Sequence, residues 1–266
     1  MPGTPDYTNP PIVELAISAQ FSPLTKLTAG HLGLFWNELG SDWVDPGDAP
    51  PIEDQYELFD RPLAQGLRFQ VRPMPMPLRF TVGHRCKDRL VQLQATRFCL
   101  NWRKRDQTYP SYKKLIGEFE QLFGDFQRFV RKRELEPLAI NQWELTYIDA
   151  FPKGQEWETP ADWSRILPGL FGNLFSTDGL RLALSHRAAE WSYDIQPKQG
   201  RIHVSTALGR VEGDERDALL LTTTARGPVG KDGAETLRAG LDVGHDLAFA
   251  VFDRLASDAT KKRWEQ

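Results

Sequence analysis

Cysteine is scarce in this chain, and long hydrophobic runs are missing. The 266 residues include two cysteines, Cys86 and Cys99, which excludes a disulfide framework, a four-cysteine zinc site and an iron–sulfur cluster built from this chain alone. No apolar run approaches the roughly 18 residues that a transmembrane helix needs. The polar, proline-containing residues 1–11 do not resemble a signal peptide. We therefore expect a soluble cytoplasmic protein.

Motifs that mark common catalytic sites are also missing. The chain has no H-E-x-x-H, no G-x-S-x-G and no G-x-G-x-x-G motif. None of its five histidines lies three or four residues from another, which is the spacing of many zinc ligands. The sequence therefore predicts no metal site and no cofactor, assigns no catalytic residue, and favours a binding protein over an enzyme.

The chain does carry charge of both signs, in separate blocks. Residues 1–60 have one basic and ten acidic residues, residues 61–133 have 17 basic and five acidic ones, and residues 134–266 have 15 basic and 21 acidic ones. An exposed and unpaired basic block would attract phosphates. Paired with the acidic N-terminal block, it would instead provide internal electrostatic complementarity, so both interpretations stay open.

The hydrophobic pattern divides the chain into two similar halves, residues 1–133 and 134–266. Each half is interpreted on one plan of a strand, a helix, four strands and a long helix, and the first half offers one candidate strand more than this plan needs. In the first half, candidate strands lie at 11–21, 56–59, 67–72, 78–83, 90–94 and 98–103, helices at 24–39 and 112–130, and an exposed loop at 45–51. In the second half, candidate strands lie at 143–151, 180–185, 191–196, 202–207 and 218–224, and helices at 159–170 and 241–259.

This order of elements predicts an α+β fold with an internal duplication. An antiparallel sheet must bury one of its faces, and the apolar stripes of the long helices can cover it. Two β-α-β4-α units side by side would form a curved antiparallel sheet with two long helices on one face. That plan is similar to the saddle of TATA-binding proteins or to a helix-grip domain. The halves form either two domains or one continuous domain.

Two carboxylates occupy corresponding positions in the halves. Glu14 lies within the first strand, and an offset of 130 residues places Glu144 at the same point of the second half. Such a pair near a pseudo-twofold axis could serve acid–base chemistry or hold a cation. Alternatively, the two pair with arginines such as Arg97 or Arg103 in a structural network. His245, on the apolar face of the last helix, is a further candidate for a buried polar network.

A second group of candidates follows the strand at 98–103. It combines basic, amide and aromatic side chains of the kind that hold phosphates or stack on bases: Arg97, Asn101, Trp102, Arg103, Lys104, Arg105 and Tyr109. The alternative is a strand end and a helix entry, in which Asn101 satisfies turn amides and Trp102 packs under the helix.

Several motifs together resemble a known family. They are Pro10-Pro11-Ile12-Val13-Glu14, Phe98-x-x-Asn101-Trp102-Arg103, Tyr109-Pro110-x-Tyr112 and Tyr147-Ile148-Asp149, followed by a last helix with His245 and Trp264. In these motifs the chain resembles a sporadically distributed family of prokaryotic proteins of about this length, whose function is unassigned. The resemblance implies an accessory protein and no particular reaction. The chain departs from the pattern at Ile148-Asp149, where an asparagine is expected nearby, and in its more polar second-half sheet.

Three functions are consistent with these residues. The first is a non-enzymatic binding or protein-interaction module, whose partner is another protein that complements the charged blocks. The second is nucleic-acid recognition by the basic segment 61–133, with arginines on phosphates and Trp102 stacked on a base. The third is a small-ligand receptor or enzyme with a pocket between sheet and helix, where a glutamate or histidine would have a perturbed pKa. We expect no membrane partner, and the sequence leaves the oligomeric state open.

Overall fold

Two adjacent central strands, one from each half of the chain, organise a single large sheet. The computed structural model describes residues 7, 9–59, 79–105, 108–172, 180–230 and 235–265. Within them, nine strands form one antiparallel sheet in the order β2-β3-β4-β5-β1-β6-β9-β8-β7. In chain order, the strands β1 to β9 are Ile12–Phe21, Trp43–Ala49, Arg79–His84, Arg89–Gln94, Arg97–Arg103, Ile140–Pro152, Glu190–Ile195, Gly200–Gly209 and Ala218–Pro228.

Five α-helices accompany this sheet in the described ranges. The helices α1 to α5 are Ala29–Leu39, Tyr112–Lys132, Trp163–Ile166, Leu237–Leu255 and Asp258–Trp264, and a 3-10 turn at Pro160–Asp162 precedes α3. Across the residues with described coordinates, no helix is both long and apolar enough to cross a membrane. The predicted α+β class with an antiparallel sheet is confirmed.

The two long helices, α2 and α4, cover the same face of the sheet. Ala19 of β1 pairs with Phe98 of β5 on one side and with Trp143 of β6 on the other, so the three side chains lie in one row. Phe98 stacks on Phe126 of α2, with ring centroids 5.6 Å apart, and the indole of Trp143 lies against Gly244 of α4. We call this side of the sheet the helix face and the opposite side the polar face.

The apolar stripe that predicts α2 is buried as expected. Phe119, Phe123, Phe126 and Phe129 are each at most 5% exposed. Burial of one such side chain stabilises the fold by roughly 1.5–3 kcal/mol. The lysines and arginines of the opposite side of α2 remain in solvent, so this helix is fixed by packing on one side only.

Trp143 is the most closely surrounded side chain of the helix face. It is fully buried, and four glycines from β8, β9 and α4 lie against its indole. They are Gly200, Gly227, Gly240 and Gly244, and a Cβ atom on any of them would collide with the ring or with nearby backbone. The α4 helix approaches the sheet closely at Trp143 because the two α4 residues against the indole, Gly240 and Gly244, lack a side chain.

The sheet is continuous across the boundary predicted between residues 133 and 134. Helix α2 ends at Lys132, β6 begins at Ile140, and β6 then pairs with β1 along most of its length. After their first helix, the first half adds four strands and the second half, as far as it is described, adds three. The plan of four strands between two helices therefore applies to the first half.

Several predicted elements differ from the observed ones. The segments predicted as strands at 56–59 and 180–185 are irregular, and the leucines at their centres, Leu58 and Leu182, are exposed instead of covered. Most of the loop predicted at 45–51 belongs to β2, since an edge strand tolerates Pro46. The helix predicted at 159–170 is reduced to the 3-10 turn and α3. The strand predicted at 67–72 lies outside the described residues.

The close approach of α4 predicts a specific effect of Gly244→Ala. A Cβ atom at this position would lie 2.7 Å from Cζ3 of Trp143 and 3.2 Å from Cβ of Ala225. We expect the free energy of unfolding, measured in urea, to fall by about 1–3 kcal/mol because of overpacking. The matched control is Gly117→Ala in α2, where no atom lies within 4 Å of the new Cβ, and where alanine should stabilise by about 0.5–1 kcal/mol. Equal effects of the two substitutions would contradict the packing described here.

Candidate functional site

Charged and amide side chains occupy the centre of the polar face. Successive residues of a strand point to opposite faces, so β5 places Phe98 and Trp102 on the helix face and Arg97, Asn101 and Arg103 on the polar face. The neighbouring strands contribute further polar residues in the same rows. This face therefore carries a continuous group of polar side chains at its centre.

Glu144 joins two guanidinium groups. Its Oε1 accepts a hydrogen bond from Arg97 Nη1 at 2.6 Å, and its Oε2 accepts one from Arg226 Nη1 at 2.9 Å. Arg97 is only 3% exposed and also donates to Ser18 Oγ at 3.2 Å and Gln20 Oε1 at 2.8 Å. Its Nε is buried and has no hydrogen-bond partner in the described part of the chain. A buried charge is costly unless it is paired, so Glu144 makes this position possible for both arginines.

Glu14 anchors a second cluster on the same face. It accepts a hydrogen bond from the Asn101 amide, and its Oε2 lies 3.4 Å from Nε of Arg103. The Sγ of Cys99 donates to the Asn101 carbonyl at 3.2 Å. Burial raises the pKa of the Cys99 thiol to about 12, so this cysteine is a hydrogen-bond donor at neutral pH and is poorly suited to nucleophilic attack.

An irregular segment crosses the polar face beside these clusters. We call residues 50–59 the strap, because they lead from the edge strand β2 across the sheet. Gln94 of β4 binds the backbone of Ile52, Gln20 of β1 binds that of Gln55, and Glu57 reaches strands β8 and β9. The strap thus connects one side of the sheet to the other.

Glu57 ends this crossing among three basic side chains. Its side chain is 3% exposed. It accepts hydrogen bonds from Arg201 Nη1 at 2.7 Å and Arg226 Nε at 2.9 Å, and its Oε1 lies 2.7 Å from Nε2 of His203. Burial alone would raise the pKa of Glu57. The hydrogen bond with His203 and the charge of Arg226 outweigh this effect, so the pKa lies below its usual value and the carboxyl is ionised at neutral pH.

A cavity of about 490 Å³ lies on the polar face between the strap and the two clusters. This volume is within the range of small-molecule sites. Three arginines and two glutamates line it, which leaves one surplus positive charge: Arg79, Arg97, Arg103, Glu14 and Glu144. Apolar atoms of Ala16, Ile52, Leu90 and Ile148 complete the wall.

A second cavity of about 400 Å³ shares Leu90 and Arg103 with the first. Lys87, Arg89 and Arg105 line it together with Asp45 and Glu212. Arg105 is joined to Glu212 by an ion pair of 2.7 Å. The polar face therefore carries two adjoining recesses, and Arg103 lies between them.

The structure divides the predicted binding residues between the two faces. Arg97, Asn101 and Arg103 line the first cavity and Arg105 the second, whereas the Lys104 backbone amide donates to the Val13 carbonyl at the end of β5. Trp102 is 1% exposed and packs edge-on against Tyr109 on the other face, with ring centroids 5.2 Å apart. The idea that Trp102 stacks on a base is therefore wrong, because the ring is covered by the protein itself.

The predicted network of Glu14, Glu144 and His245 is divided as well. The two glutamates pair with Arg103 and Arg97, as the structural alternative proposed. His245 lies on the helix face instead. Its Nδ1 is 2.7 Å from the Tyr147 hydroxyl, and its ring stacks on Tyr112 at a centroid distance of 3.9 Å. Burial lowers the pKa of His245, so the ring is neutral at pH 7.

Sequence reasoning missed Glu57, Arg201, His203 and Arg226. Glu57 makes its contacts with residues 144 to 169 positions away in the chain, and no local motif marks such a cluster. The alternation in β8 and β9 is the one signal available, because it places polar residues on a single face of otherwise apolar strands. Among the residues whose structure is described, no group of three or more His, Cys, Asp or Glu side chains is arranged to hold a metal ion.

Comparisons with protein-family models, with curated proteins and with solved structures find no match to this chain.

A buried acid on the helix face predicts an unusual pH dependence of stability. Burial raises the pKa of Asp149 to about 7, above the ordinary value of about 4 for the unfolded chain. The folded state therefore binds more protons than the unfolded state between these values, so the contribution of Asp149 to stability declines as pH rises from about 4 to about 7. We expect Asp149→Asn to remove this decline and to raise the free energy of unfolding at pH 8.

Urea unfolding between pH 5 and pH 8 measures this effect. The control is Asp258→Asn, since the Asp258 side chain is 96% exposed, and this variant should keep the wild-type pH slope. If wild type and Asp149→Asn show parallel pH profiles, the raised pKa is refuted.

Proposed function

We propose that this protein binds a small organic anion in the larger cavity of the polar face and does not transform it. The observation that carries this proposal is Arg97, a guanidinium 3% exposed at the floor of a cavity, whose Nε has no partner in the described residues. A buried cation that is incompletely satisfied at the base of a recess is suited to an anionic ligand.

The rest of the lining is consistent with this ligand class. Arg79 and Arg103 add two cationic donors, Asn101 and Thr146 add neutral polar groups, and Ile148 offers an apolar contact. A carboxylate or phosphate attached to a small carbon skeleton satisfies all three kinds of contact. The recess is too small for a folded partner, so we assign it to a metabolite-sized molecule.

A binding role is favoured over catalysis by the state of the reactive groups. Both cavity glutamates are occupied by arginines, and the Cys99 thiol is protonated at neutral pH. General acid–base or nucleophilic chemistry needs a group that can change its protonation state near neutral pH. With the resemblance to the prokaryotic family, we place this binding role in an accessory protein of a prokaryotic cell.

We also propose that the two halves arose by duplication, which would place related residues on the same face. Glu14 of β1 lies opposite Arg103 of β5, and Glu144 of β6 lies opposite Arg226 of β9. Outward from the centre, the strands run β5-β4-β3 on one side and β9-β8-β7 on the other. A saddle or helix-grip relationship remains a proposal of the same kind.

Substitution of Arg103 tests the proposed ligand site. A panel of carboxylate- and phosphate-bearing small molecules is screened by thermal shift, with the corresponding amides and alcohols as neutral controls. A ligand that binds only the folded state raises Tm. For an anion that binds wild type, Arg103→Gln should raise Kd at least about tenfold, because a hydrogen bond to a charged group contributes about 1.5–3 kcal/mol.

The control is Arg85→Gln, which removes an equal charge outside both cavities. The Arg85 side chain is 61% exposed and lies 3.3 Å from Asp42. This variant should bind as wild type does. Stabilisation by neutral and anionic compounds alike, or equal binding by the two variants, would overturn the proposal.

A further inference from the structure

The strap is held in the way that proteins hold a bound peptide. Gln94 donates to the Ile52 carbonyl at 2.8 Å and accepts from the Ile52 amide at 2.9 Å. Likewise, Gln20 donates to the Gln55 carbonyl at 3.1 Å and accepts from the Gln55 amide at 3.0 Å. Each glutamine side chain thus satisfies both backbone groups of one strap residue. Such contacts depend on an extended backbone and not on the side chain that it carries.

Side-chain recognition is concentrated at Glu57. Its carboxylate fills a site formed by Arg201, His203 and Arg226, and the Arg201 guanidinium lies 5.4 Å from the centre of the Phe59 ring. Between these anchors, Glu53, Asp54, Tyr56 and Leu58 point into solvent. A segment that occupies this site therefore needs only three features. They are two residues with extended backbone three positions apart, and an acidic residue two positions after the second.

We infer that the polar face is a docking site for an extended acidic peptide of a partner protein, which binds in exchange for the strap. The strap is the intramolecular occupant of this site in the structure. The partner must supply a carboxylate for the three basic side chains. If Glu57 left and nothing replaced it, the nearly buried Arg201 and Arg226 would each lose one carboxylate partner, which is costly. Charge complementarity thus selects an acidic segment over a neutral or basic one.

The composition of the strap favours exchange over a permanent structural role. Two of its three large apolar residues near Glu57, Tyr56 and Leu58, are 51% and 53% exposed, so they add little hydrophobic stabilisation, and Phe59 is only partly buried. The four backbone hydrogen bonds to Gln20 and Gln94 are between neutral groups, and each contributes about 0.5–1.5 kcal/mol. A partner segment with the same pattern would reproduce every one of these contacts.

The exchange requires that a freed site accept the strap sequence in trans. The probe is a fluorescently labelled peptide of residues 50–59, and its binding to the full-length chain is measured by anisotropy. Glu57→Gln in the protein weakens the internal strap, so this variant should bind the peptide with a Kd at least about tenfold lower than wild type does. A Glu53→Gln protein, altered at an exposed residue of the same strap, should bind the peptide as wild type does.

The peptide itself carries the matching control. The same peptide with Glu57→Gln should lose binding to the Glu57→Gln protein, whereas the peptide with Glu53→Gln should keep it. If a folded Glu57→Gln protein does not bind the peptide, or binds both altered peptides equally, the inference is overturned. This result is independent of the anion cavity, since the anion screen uses wild-type protein and reads out Arg103.

If Glu57→Gln does not fold, hydrogen exchange of wild type decides. The backbone amides of Ile52 and Gln55 donate to the side chains of Gln94 and Gln20. If the strap is released under native conditions, these amides should exchange their hydrogens with solvent while the β1 amide of Ile17 stays protected. Exchange of all three amides at the rate of global unfolding would show a permanent strap and would overturn the inference. Faster exchange of Ile52 and Gln55 would support it.

Discussion

The polar face depends on Glu144, whose single carboxylate pairs with both Arg97 and Arg226. Charges on a solvated surface gain little from pairing, about 0–1 kcal/mol, but an unpaired charge in the middle of this sheet would cost several. Glu144 therefore determines which neighbours are tolerated. Ser18 and Gln20 accept further hydrogen bonds from Arg97, whose Nε has no partner among the described residues. Arg226 also donates to Glu57. Glu144 thus lines the cavity and, through Arg226, is connected to the strap.

The network also explains the separate charge blocks of the sequence. Within the described residues, basic side chains of the middle block pair with acidic residues of both ends and not with the N-terminal block alone. Arg85 and Arg103 pair with Asp42 and Glu14 of the N-terminal block, while Arg97 and Arg105 pair with Glu144 and Glu212 of the C-terminal block. Charge that is satisfied in this way attracts polyanions weakly. Because Trp102 is buried, nucleic-acid recognition stays a prediction without its stacking residue.

The sequence predicted best where one periodicity controls the local environment. The α2 stripe is buried as predicted. The alternation in β5 separates Arg97 and Asn101 from Phe98 and Trp102, but the prediction placed Arg97, Asn101 and Trp102 in one binding group. The sequence predicted the structure poorly where contacts between distant segments determine the local conformation. The strap carries strand-like residues but bonds to the side chains of Gln20 and Gln94, and β2 forms a strand despite Pro46 because it lies at the edge. The Glu57 cluster joins distant segments, so no spacing rule applies to it.

The glycine cage around Trp143 has a consequence for how this chain can vary. The Trp143 indole is the nearest obstacle to a side chain at Gly240 and Gly244, whereas at Gly200 and Gly227 nearby backbone is closer still. A smaller residue at position 143 would leave a void that one added methyl group from a single wall cannot fill evenly. Positions 143, 240 and 244 are therefore linked, and lineages that lose the tryptophan should change both helix glycines in concert. Such covariation in an alignment of relatives would indicate that α4 contacts the sheet in those proteins too.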